Sequence, residues 1–337
     1  MAHSSVADRI PAAFQATGRR ILYLFPDRSS ATLATWERDE FWPVYERVAN
    51  ANGLDFAVAV PEHVVLRDGA ACWQGERLRP DRDIVVYDVR SEPLHEADLL
   101  ASLTLVHSLA AQGFWLAIPL STALLCNDKF ATAEALDGSP VPVIPSVRVI
   151  TGRDLNLLSY QEMIPDEWFP AFVKPASWGR GLGGVRCPDR PTLDALLGLA
   201  SGSGATMLVQ PSVGEVVADT RVVAVEGEIV AVYDRVGSPG SHVANISRGG
   251  HADTRSEVDA SVHELVDLVH RRFDLPYVCV DLLRTADGGL WFSELETDGA
   301  VAGLFDDRDA VDRIVGGRFR AYARRLDAHL SGTGRGR

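Results

Sequence analysis

Apolar and polar residues alternate in runs that predict successive strands and helices over the first 118 residues. Short apolar runs bounded by Gly, Pro or Asp are typical of buried strands, and apolar residues at every third or fourth position are typical of amphipathic helices. The predicted strands are residues 20–25, 54–60, 84–89 and 114–118, and the predicted helices are residues 36–50 and 94–112. This alternation indicates an open, largely parallel α/β sheet.

The pattern changes after residue 118, where several strands are predicted to pair as hairpins. Helices are predicted over residues 121–136 (as one helix or two), 191–200, 256–273 and 309–330, and single strands over residues 146–150, 172–175 and 207–210. One hairpin turns at Glu226-Gly227 and another at Ala286 to Gly289, since turn residues separate β-prone runs in both places. This part is therefore α+β, and residues 331–337 have the composition of a disordered tail.

The second hairpin carries three acidic residues. Asp281 lies in its first strand, and Glu294 and Glu296 follow the apolar run of its second strand. Side chains alternate between the faces of a strand, so these carboxylates can point to one side. Crowded carboxylates repel one another, which favours a cation among them, and hard oxygen ligands suit Mg²⁺ or Mn²⁺. The alternative is a solvated hairpin face.

Composition narrows the class of protein. The chain has 337 residues, of which 46% are hydrophobic, enough for two or three packed domains. The net charge of −13 disfavours nucleic-acid binding. The four cysteines have neither metal-ligand nor disulfide-framework spacing. No apolar run is long enough to span a membrane and no secretory leader is recognisable, so we expect a cytoplasmic protein.

A glycine-rich loop follows the predicted strand that contains Lys174. Gly179, Gly181, Gly183 and Gly184 fall within six positions, and such backbone can form an anion-binding concavity. The spacing is not that of a P-loop, and the turn after the first strand, PDRSS, lacks the GxGxxG pattern of dinucleotide-binding proteins. The loop can thus bind an anion and the sequence gives little support to NAD binding, although a glycine-rich turn is often only a turn.

Taken in chain order, these motifs resemble the ATP-grasp superfamily of carboxylate-amine ligases, in particular its RimK and glutathione-synthetase-like branch. The residues that carry the resemblance are Lys129, Lys174 with its glycine-rich loop, Gln210, Asp219, Arg221, Arg235, Asn245 with Gly249 and Gly250, Asp281, Glu294 and Glu296. The resemblance covers about residues 119–300. It implies an N-terminal open α/β (preATP-grasp) domain over residues 1–118, followed by a two-subdomain ATP-grasp fold with a central lid subdomain over 119–205 and a C-terminal subdomain over 206–330.

The same resemblance implies a role for each residue. Asp281, Glu294 and Glu296 would hold two Mg²⁺ or Mn²⁺ ions. ATP would be bound by Lys129, Lys174, Gly179, Gly181, Gly183, Gln210, Pro211, Ser212, Val213 and Asp219, and Arg221, Arg235 and Asn245 would contact the substrate carboxylate or the migrating phosphoryl group. Each residue also has an ordinary structural interpretation, such as a solvated lysine or a hairpin ion pair.

The resemblance implies an ATP-dependent ligase that activates a small carboxylate (an amino acid or peptide) as an acyl phosphate for attack by an amine. We expect small-molecule substrates and, by default, a homodimer. The alternatives are cyclisation or modification of a small metabolite, and an ATP-binding regulatory module without catalysis. The chain departs from the RimK pattern at Glu296, where an Asn is usual, at Thr297-Asp298-Gly299 and at Val243. Specificity is expected in loops at residues 26–35, 61–82 and 236–248.

Overall fold

The computed structural model describes residues 18–25, 31–87, 89, 96–152, 159–179, 181–236 and 251–333. In chain order its strands are β1 (Arg20–Leu24), β2 (Asp55–Ala59), β3 (Val64–Arg67), β4 (Ala70–Trp73), β5 (Glu76–Arg77), β6 (Asp83–Tyr87), β7 (Val147–Ile150), β8 (Ala171–Pro175), β9 (Val185–Cys187), β10 (Thr206–Pro211), β11 (Val216–Val225), β12 (Glu228–Val236), β13 (His251–Thr254), β14 (Tyr277–Thr285) and β15 (Leu290–Glu296). The helices are α1 (Ala31–Trp36), α2 (Trp42–Ala51), α3 (Glu96–Ala111), α4 (Leu120–Asn127), α5 (Lys129–Ala135), α6 (Arg190–Ser201), α7 (Ala260–Phe273) and α8 (Arg308–Thr333). None of the helices in these ranges is both long and apolar enough to cross a membrane.

The N-terminal part is the parallel α/β unit that the sequence predicts. Strands β2, β1 and β6 form a parallel sheet with β1 in the centre. The helix predicted over residues 36–50 is interrupted, because a π-helical turn at Glu37–Phe41 separates α1 from α2. Pro43 is the second residue of α2, which directly follows the π-helical turn.

Two predictions for the N-terminal part are wrong. Residues 114–118 do not form a strand, and only Leu116 makes an isolated parallel bridge, to Val85 of β6. The run is apolar because Phe114, Ala117 and Ile118 are buried, which does not require a full strand ladder. Conversely, the expected loop at residues 61–82 contains the antiparallel sheet β3-β4-β5.

The remainder divides into two antiparallel sheets, as an α+β pattern predicts. A four-stranded sheet has the order β7-β10-β8-β9, and a five-stranded sheet has the order β13-β12-β11-β14-β15. Both predicted hairpins are confirmed, since β11 pairs with β12 and β14 pairs with β15. Because β10 bonds to both β7 and β8, the four-stranded sheet continues to Pro211, and the boundary predicted at residues 205/206 passes through it.

The buried clusters show which sheets pack together. The four-stranded sheet and α6 bury their own cluster, which includes Val173, Leu193 and Val209. The five-stranded sheet instead shares cores with the N-terminal sheet: in one, β1 packs with β14 and α8. Helix α8 continues through Ser331–Thr333, so the predicted tail begins too early, and residues 334–337 lie outside the described residues.

Candidate active site

The five-stranded sheet places four charged side chains on one face. Arg221 of β11 lies opposite Asp281 of β14, and Asp219 of β11 lies opposite Arg235 of β12. Directly paired residues share a face of the sheet, and Asp219 and Arg221 are two positions apart on β11, so all four point to the same side. Towards the other end of this face the apolar residues of β11 and β14 join the core that contains α8. This face of the sheet is therefore apolar at one end and charged at the other.

A β-bulge in β15 brings the glutamates to this face. Asp281 pairs with Glu294, but the next residue, Leu282, pairs with Phe292, so the intervening serine has no partner across the ladder. An extra residue shifts the alternation of side chains by one. Phe292 and Leu295 can therefore both be buried in the core, while Glu294 and Glu296 face the opposite side.

Asp281, Glu294 and Glu296 converge as the sheet geometry predicts. Each offers a carboxylate oxygen, and these oxygens lie within 4.8 Å of one another. Asp281 is 1% exposed, whereas the side chains of Glu294 and Glu296 keep 25% and 22% of their exposure. Three hard, anionic oxygen donors with two of them open to solvent fit a divalent ion such as Mg²⁺.

The sequence argument treats these carboxylates as unpaired, and the structure corrects this because arginines bind two of them. Arg221 donates from Nε to Asp281 Oδ1 at 2.8 Å and from Nη2 to Asp281 Oδ2 at 2.7 Å, and its Nη2 lies 2.9 Å from Glu296 Oε2. Arg235 Nη2 donates to Asp281 Oδ2 at 2.6 Å. Burial opposes ionisation of Asp281, but the two guanidinium groups outweigh it and lower its pKa to about 2.

Asp219 lies at the edge of this network in a different electrostatic environment. Arg235 Nη2 donates to its Oδ2 at 2.7 Å. Burial, together with the nearby charge of Asp281, nevertheless raises the pKa of Asp219 to about 6 against the attraction of Arg235. Asp219 Oδ1 and Arg235 Nε are buried without a hydrogen-bond partner among the described residues. Buried polar atoms of this kind are expected to bind something, so they mark a place for a ligand.

Lys129 connects the central part of the chain to the acidic strand. It is the first residue of α5, whose preceding residue, Asp128, caps the helix by accepting hydrogen bonds from the backbone N–H groups of Phe130 (2.9 Å) and Ala131 (3.2 Å). Lys129 Nζ lies 3.1 Å from Glu294 Oε2 and donates to the carbonyl of Trp178 at 2.9 Å. Burial opposes ionisation of Glu294, but Lys129 outweighs it and lowers the Glu294 pKa. This cap is not among the sequence predictions, although an Asp directly before a helix is a recognised signal of a helix start.

Lys174 lies on β8, on the other side of the same site. Burial and the positive charge of Lys129 lower its pKa to about 8, while Glu294 and Asp219 oppose the shift. These interactions place the ammonium group near both lysine and acid partners of the site. The pKa of Lys174 therefore lies well below that of an ordinary surface lysine.

The glycine-rich loop adopts backbone conformations that require glycine. Gly181 and Gly183 have φ values of 65° and 71°, in the left-handed region. A Cβ on Gly183 would lie 2.8 Å from Pro175 Cγ and 3.3 Å from the ring of Trp178. The loop thus packs tightly onto the end of β8, directly after the strand that carries Lys174, and Gly179 lies beside Trp178 in the same turn.

The remaining predicted residues are placed as follows. Gln210 is buried near the end of β10, and its Nε2 donates to Ser146 Oγ at 2.8 Å, so its side chain has a structural partner. Pro211 ends the strand, and Ser212 and Val213 continue from it. Asn245 lies outside the described residues.

Comparison with known proteins identifies the family. Residues 126–307, just over half of the chain, match the family described as the RimK-like ATP-grasp domain. The protein belongs to this family. Among curated relatives, the D-alanine--D-alanine ligase of Sodalis glossinidius is 33% identical over 32% of this chain and 31% of its own length. The probable alpha-L-glutamate ligase of Serratia proteamaculans is 29% identical over 36% of this chain and 40% of its own. The matches thus span less than half of these relatives.

Solved structures support the fold over nearly the whole chain. The D-cycloserine synthetase DcsG has a TM-score of 0.63 with 21% identity, covering 91% of this chain and 99% of its own. The D-alanyl-alanine synthetase A of Vibrio cholerae has a TM-score of 0.65 with 16% identity, covering 92% and 99%. At these identities the likeness concerns the fold, which is ATP-grasp, as the sequence predicts.

Proposed function

We propose that this protein is an ATP-dependent ligase that joins a small carboxylate, such as an amino acid or peptide, to an amine, with ADP and phosphate as products. The single observation that supports this most strongly is the meeting of lysines and acids at one point. Lys129 Nζ lies 3.1 Å from Glu294 Oε2, and Glu294 in turn belongs to the three-acid cluster. Lysines that bind phosphate and acids that bind metal must line the same cleft to act on one nucleotide, and this contact brings the two kinds of residue together.

The chemistry explains why such a site needs both charges. A carboxylate is a poor electrophile, and joining it to an amine in water is unfavourable. One carboxylate oxygen attacks the γ-phosphorus of ATP, the bond to ADP breaks, and an acyl phosphate forms. The amine nitrogen then attacks the acyl carbon and loses a proton, and phosphate leaves with the transferred oxygen. Enzymes accelerate phosphoryl transfer chiefly by positioning and by stabilising charge.

The acidic residues are suited to hold the metal that this reaction requires. Asp281, Glu294 and Glu296 supply the oxygen donors, and we assign them two Mg²⁺ or Mn²⁺ ions, which when bound neutralise charge on the phosphates. Glu296 adds a negative charge relative to the Asn usual in this family, and Arg221 lies beside it to balance that charge. The site therefore tolerates the departure without an unpaired buried anion.

The cationic residues have separate tasks in this proposal. Lys129 and Lys174 bind phosphate oxygens as compact charges. Arg221 is held by Asp281 and Glu296, so it is a fixed cation for the migrating phosphoryl group. Arg235 retains an unpartnered Nε among the described contacts and is the better candidate for the substrate carboxylate. Asp219 and the segment from Gln210 to Val213 bind the nucleoside, and the loop with Gly179, Gly181 and Gly183 covers the phosphates.

The relatives support the substrate class. Two curated relatives are named as ligases that act on amino acids, D-alanine and L-glutamate, respectively. One similar structure is a macrocyclase bound to a precursor peptide, so peptides belong in the substrate screen. The free amine and carboxylate are therefore best sought among amino acids and short peptides.

A substrate screen tests the proposal. Purified protein is incubated with ATP, Mg²⁺ and pools of amino acids and peptides, and ADP and phosphate release are measured. We expect release only with particular substrates, and mass spectrometry of the products distinguishes a linear amide from a cyclic one. Release of AMP and pyrophosphate, or no substrate-dependent release from any pool, would contradict the proposal.

A further inference from the structure

A buried arginine of the last helix contacts the turn that follows the acidic strand. Arg318 of α8 is 1% exposed, and its guanidinium carbon lies 4.1 Å from the ring centroid of Tyr277 on β14. Its Nε donates to Tyr322 OH at 2.8 Å, and its Nη2 donates to Asp298 Oδ1. Arg318 lies outside the segment that matches the family, residues 126–307. Its position is therefore a property of this chain that family membership does not assign.

Asp298 joins three elements that are distant in sequence. It comes two residues after Glu296, and it accepts hydrogen bonds from Arg318 on α8 and from Tyr23 OH on β1, the latter at 3.3 Å. Tyr23 lies one residue before the end of β1, and ligands of open α/β sheets bind beyond the carboxyl ends of the strands. The pair of Asp298 and Arg318 is thus on the ligand side of the N-terminal sheet.

Two carbonyl groups of the turn at residues 297–300 accept hydrogen bonds from side chains of the five-stranded sheet. Tyr277 OH donates to the carbonyl of Gly299 at 2.6 Å, and Arg221 Nη1 donates to the carbonyl of Ala300 at 2.9 Å. A Cβ on Gly299 would lie 2.6 Å from Cys279 Sγ, so the turn packs directly on β14. Arg221 therefore depends on this turn for one of its fixed contacts, and Asp281 and Glu296 hold the rest.

We propose that Asp298 and Arg318 are positioning residues of the metal site: they fix the turn at residues 297–300, and through it they orient Glu296 and Arg221. A link to catalysis rests on the proposed ligase function, whereas the effect on metal binding does not. The salt bridge itself touches no substrate. Its contribution is to remove the freedom of the turn, so that the glutamate and the guanidinium keep their relative placement. Partners of metal ligands commonly change metal affinity or activity by about 10-fold to 100-fold when altered.

The test compares the pair of Asp298 and Arg318 with a second buried pair, Arg20 of β1 and Asp83 of β6. Arg20 Nε donates to Asp83 Oδ1 at 2.7 Å, both side chains are almost completely buried, and the pair lies at the amino end of β1, away from the ligand side. The variants are Asp298→Asn, Arg318→Lys and Arg318→Gln, with Arg20→Lys as the control. Mn²⁺ affinity is measured by electron paramagnetic resonance, alongside the thermal midpoint and substrate-dependent ADP release.

We expect Asp298→Asn and Arg318→Gln to weaken Mn²⁺ binding by about 10-fold to 100-fold, and Arg318→Lys to weaken it less because the charge is kept. Arg20→Lys should lower the thermal midpoint without changing Mn²⁺ affinity. Should Asp298→Asn not fold, Tyr23→Phe and Tyr322→Phe each remove one hydroxyl of the cluster and should weaken Mn²⁺ binding by a smaller factor.

Equal Mn²⁺ affinity in all folded variants would overturn the positioning role and leave Arg318 as a purely structural residue. The two proposals fail separately. If none of the tested substrates makes the wild-type protein release ADP, but the variants still lose Mn²⁺ affinity, the ligase assignment is wrong and the positioning role stands. If the wild type turns over and the variants match it in both measurements, the positioning role falls.

Discussion

Two buried charge networks of this protein share their chemistry and differ in what surrounds them. The first, the β1 network, contains Arg20, Glu76, Arg82 and Asp83 at the amino end of β1. The second, the site network, contains Lys129, Asp219, Arg221, Arg235, Asp281, Glu294 and Glu296. Each pairs acids with arginines at hydrogen-bonding distance, so the ion pairs alone do not reveal which network has a function.

The difference lies in how completely each network satisfies its buried acid. Asp83 is fully buried and accepts four bonds, from Arg20 Nε, from Nε and Nη2 of Arg82, and from the backbone N–H of Arg79 at 2.6 Å. In the site network, Asp219 Oδ1 is buried without a hydrogen-bond partner among the described residues.

The site network also contains two carboxylates whose pKa values are shifted in opposite directions. In the site, the pKa of Asp281 is lowered to about 2, while that of Asp219 is raised to about 6. Two carboxylates whose environments push their pKa values apart are a mark of catalytic sites. The comparison teaches that a buried carboxylate with an unbonded oxygen, rather than buried charge itself, is the feature that sets the site network apart. Four predictions test it.

The largest expected effect is on stability and comes from the β1 network. Arg20→Met leaves Asp83 as a fully buried carboxylate that has lost one of its two guanidinium partners, which should cost about 3–5 kcal/mol of unfolding free energy. Chemical denaturation measures it. ADP release per folded molecule should stay at the wild-type rate, and a loss of activity in the folded fraction would show that the β1 network also serves the site.

Glu294→Gln should instead lower activity and leave stability almost unchanged. It removes one negative charge from the metal donors and the ion pair with Lys129, so substrate-dependent ADP release should fall by about 10²-fold to 10³-fold. The thermal midpoint should change little, because the side chain is partly exposed. Glu76→Gln, a matched change in the β1 network, should retain activity. Intact turnover in Glu294→Gln would mean that the metal assignment is wrong.

The pH dependence of kcat/KM should reflect the opposed shifts within the site. Lys174, with a pKa lowered to about 8, loses its charge as the pH rises through that value, and Asp219, with a pKa raised to about 6, gains a proton as the pH falls through that value. The rate constant should therefore peak between these values and fall about tenfold per pH unit outside them. Lys174→Arg should remove the alkaline limb, because arginine stays protonated. An unchanged alkaline limb in this variant would assign it to another group.

The smallest effect is expected at Glu296, where this chain departs from the family pattern. Glu296→Asn restores the amide usual in this family, removes one donor charge and should weaken the apparent Mg²⁺ affinity by about tenfold. Magnesium titration of ADP release at saturating substrate measures this. Tighter Mg²⁺ binding in the variant would show that Glu296 serves Arg221 rather than the metal.

Local patterns were enough to predict much of the fold. Both hairpins were predicted from turn residues between β-prone runs, and the convergence of Asp281, Glu294 and Glu296 follows from the alternation of side chains. That convergence also depends on the bulge in β15, which shifts Glu294 and Glu296 to the face of Asp281 and which the sequence does not predict. The sheet β3-β4-β5 was missed although Asp68-Gly69 is a hairpin signal, because its strands have only two to four residues.

Long-range pairing could not be predicted from the sequence. Nothing local indicates that Arg318 will meet Asp298 and Tyr23, since Tyr23 and Asp298 are 275 positions apart. The pairing of Asp281 with two arginines depends on the register of β11, β12 and β14, which follows from tertiary packing. Sequence patterns therefore found the charged residues, whereas only the fold shows which charges neutralise one another.

The transfer of oxygen from carboxylate to phosphate tests the central claim most directly. A substrate pool active in the ADP assay is labelled with ¹⁸O in its carboxyl groups, and the released phosphate is analysed by mass spectrometry. The acyl-phosphate account predicts one ¹⁸O atom in each phosphate formed. Phosphate without label, released together with the joined product, would contradict it.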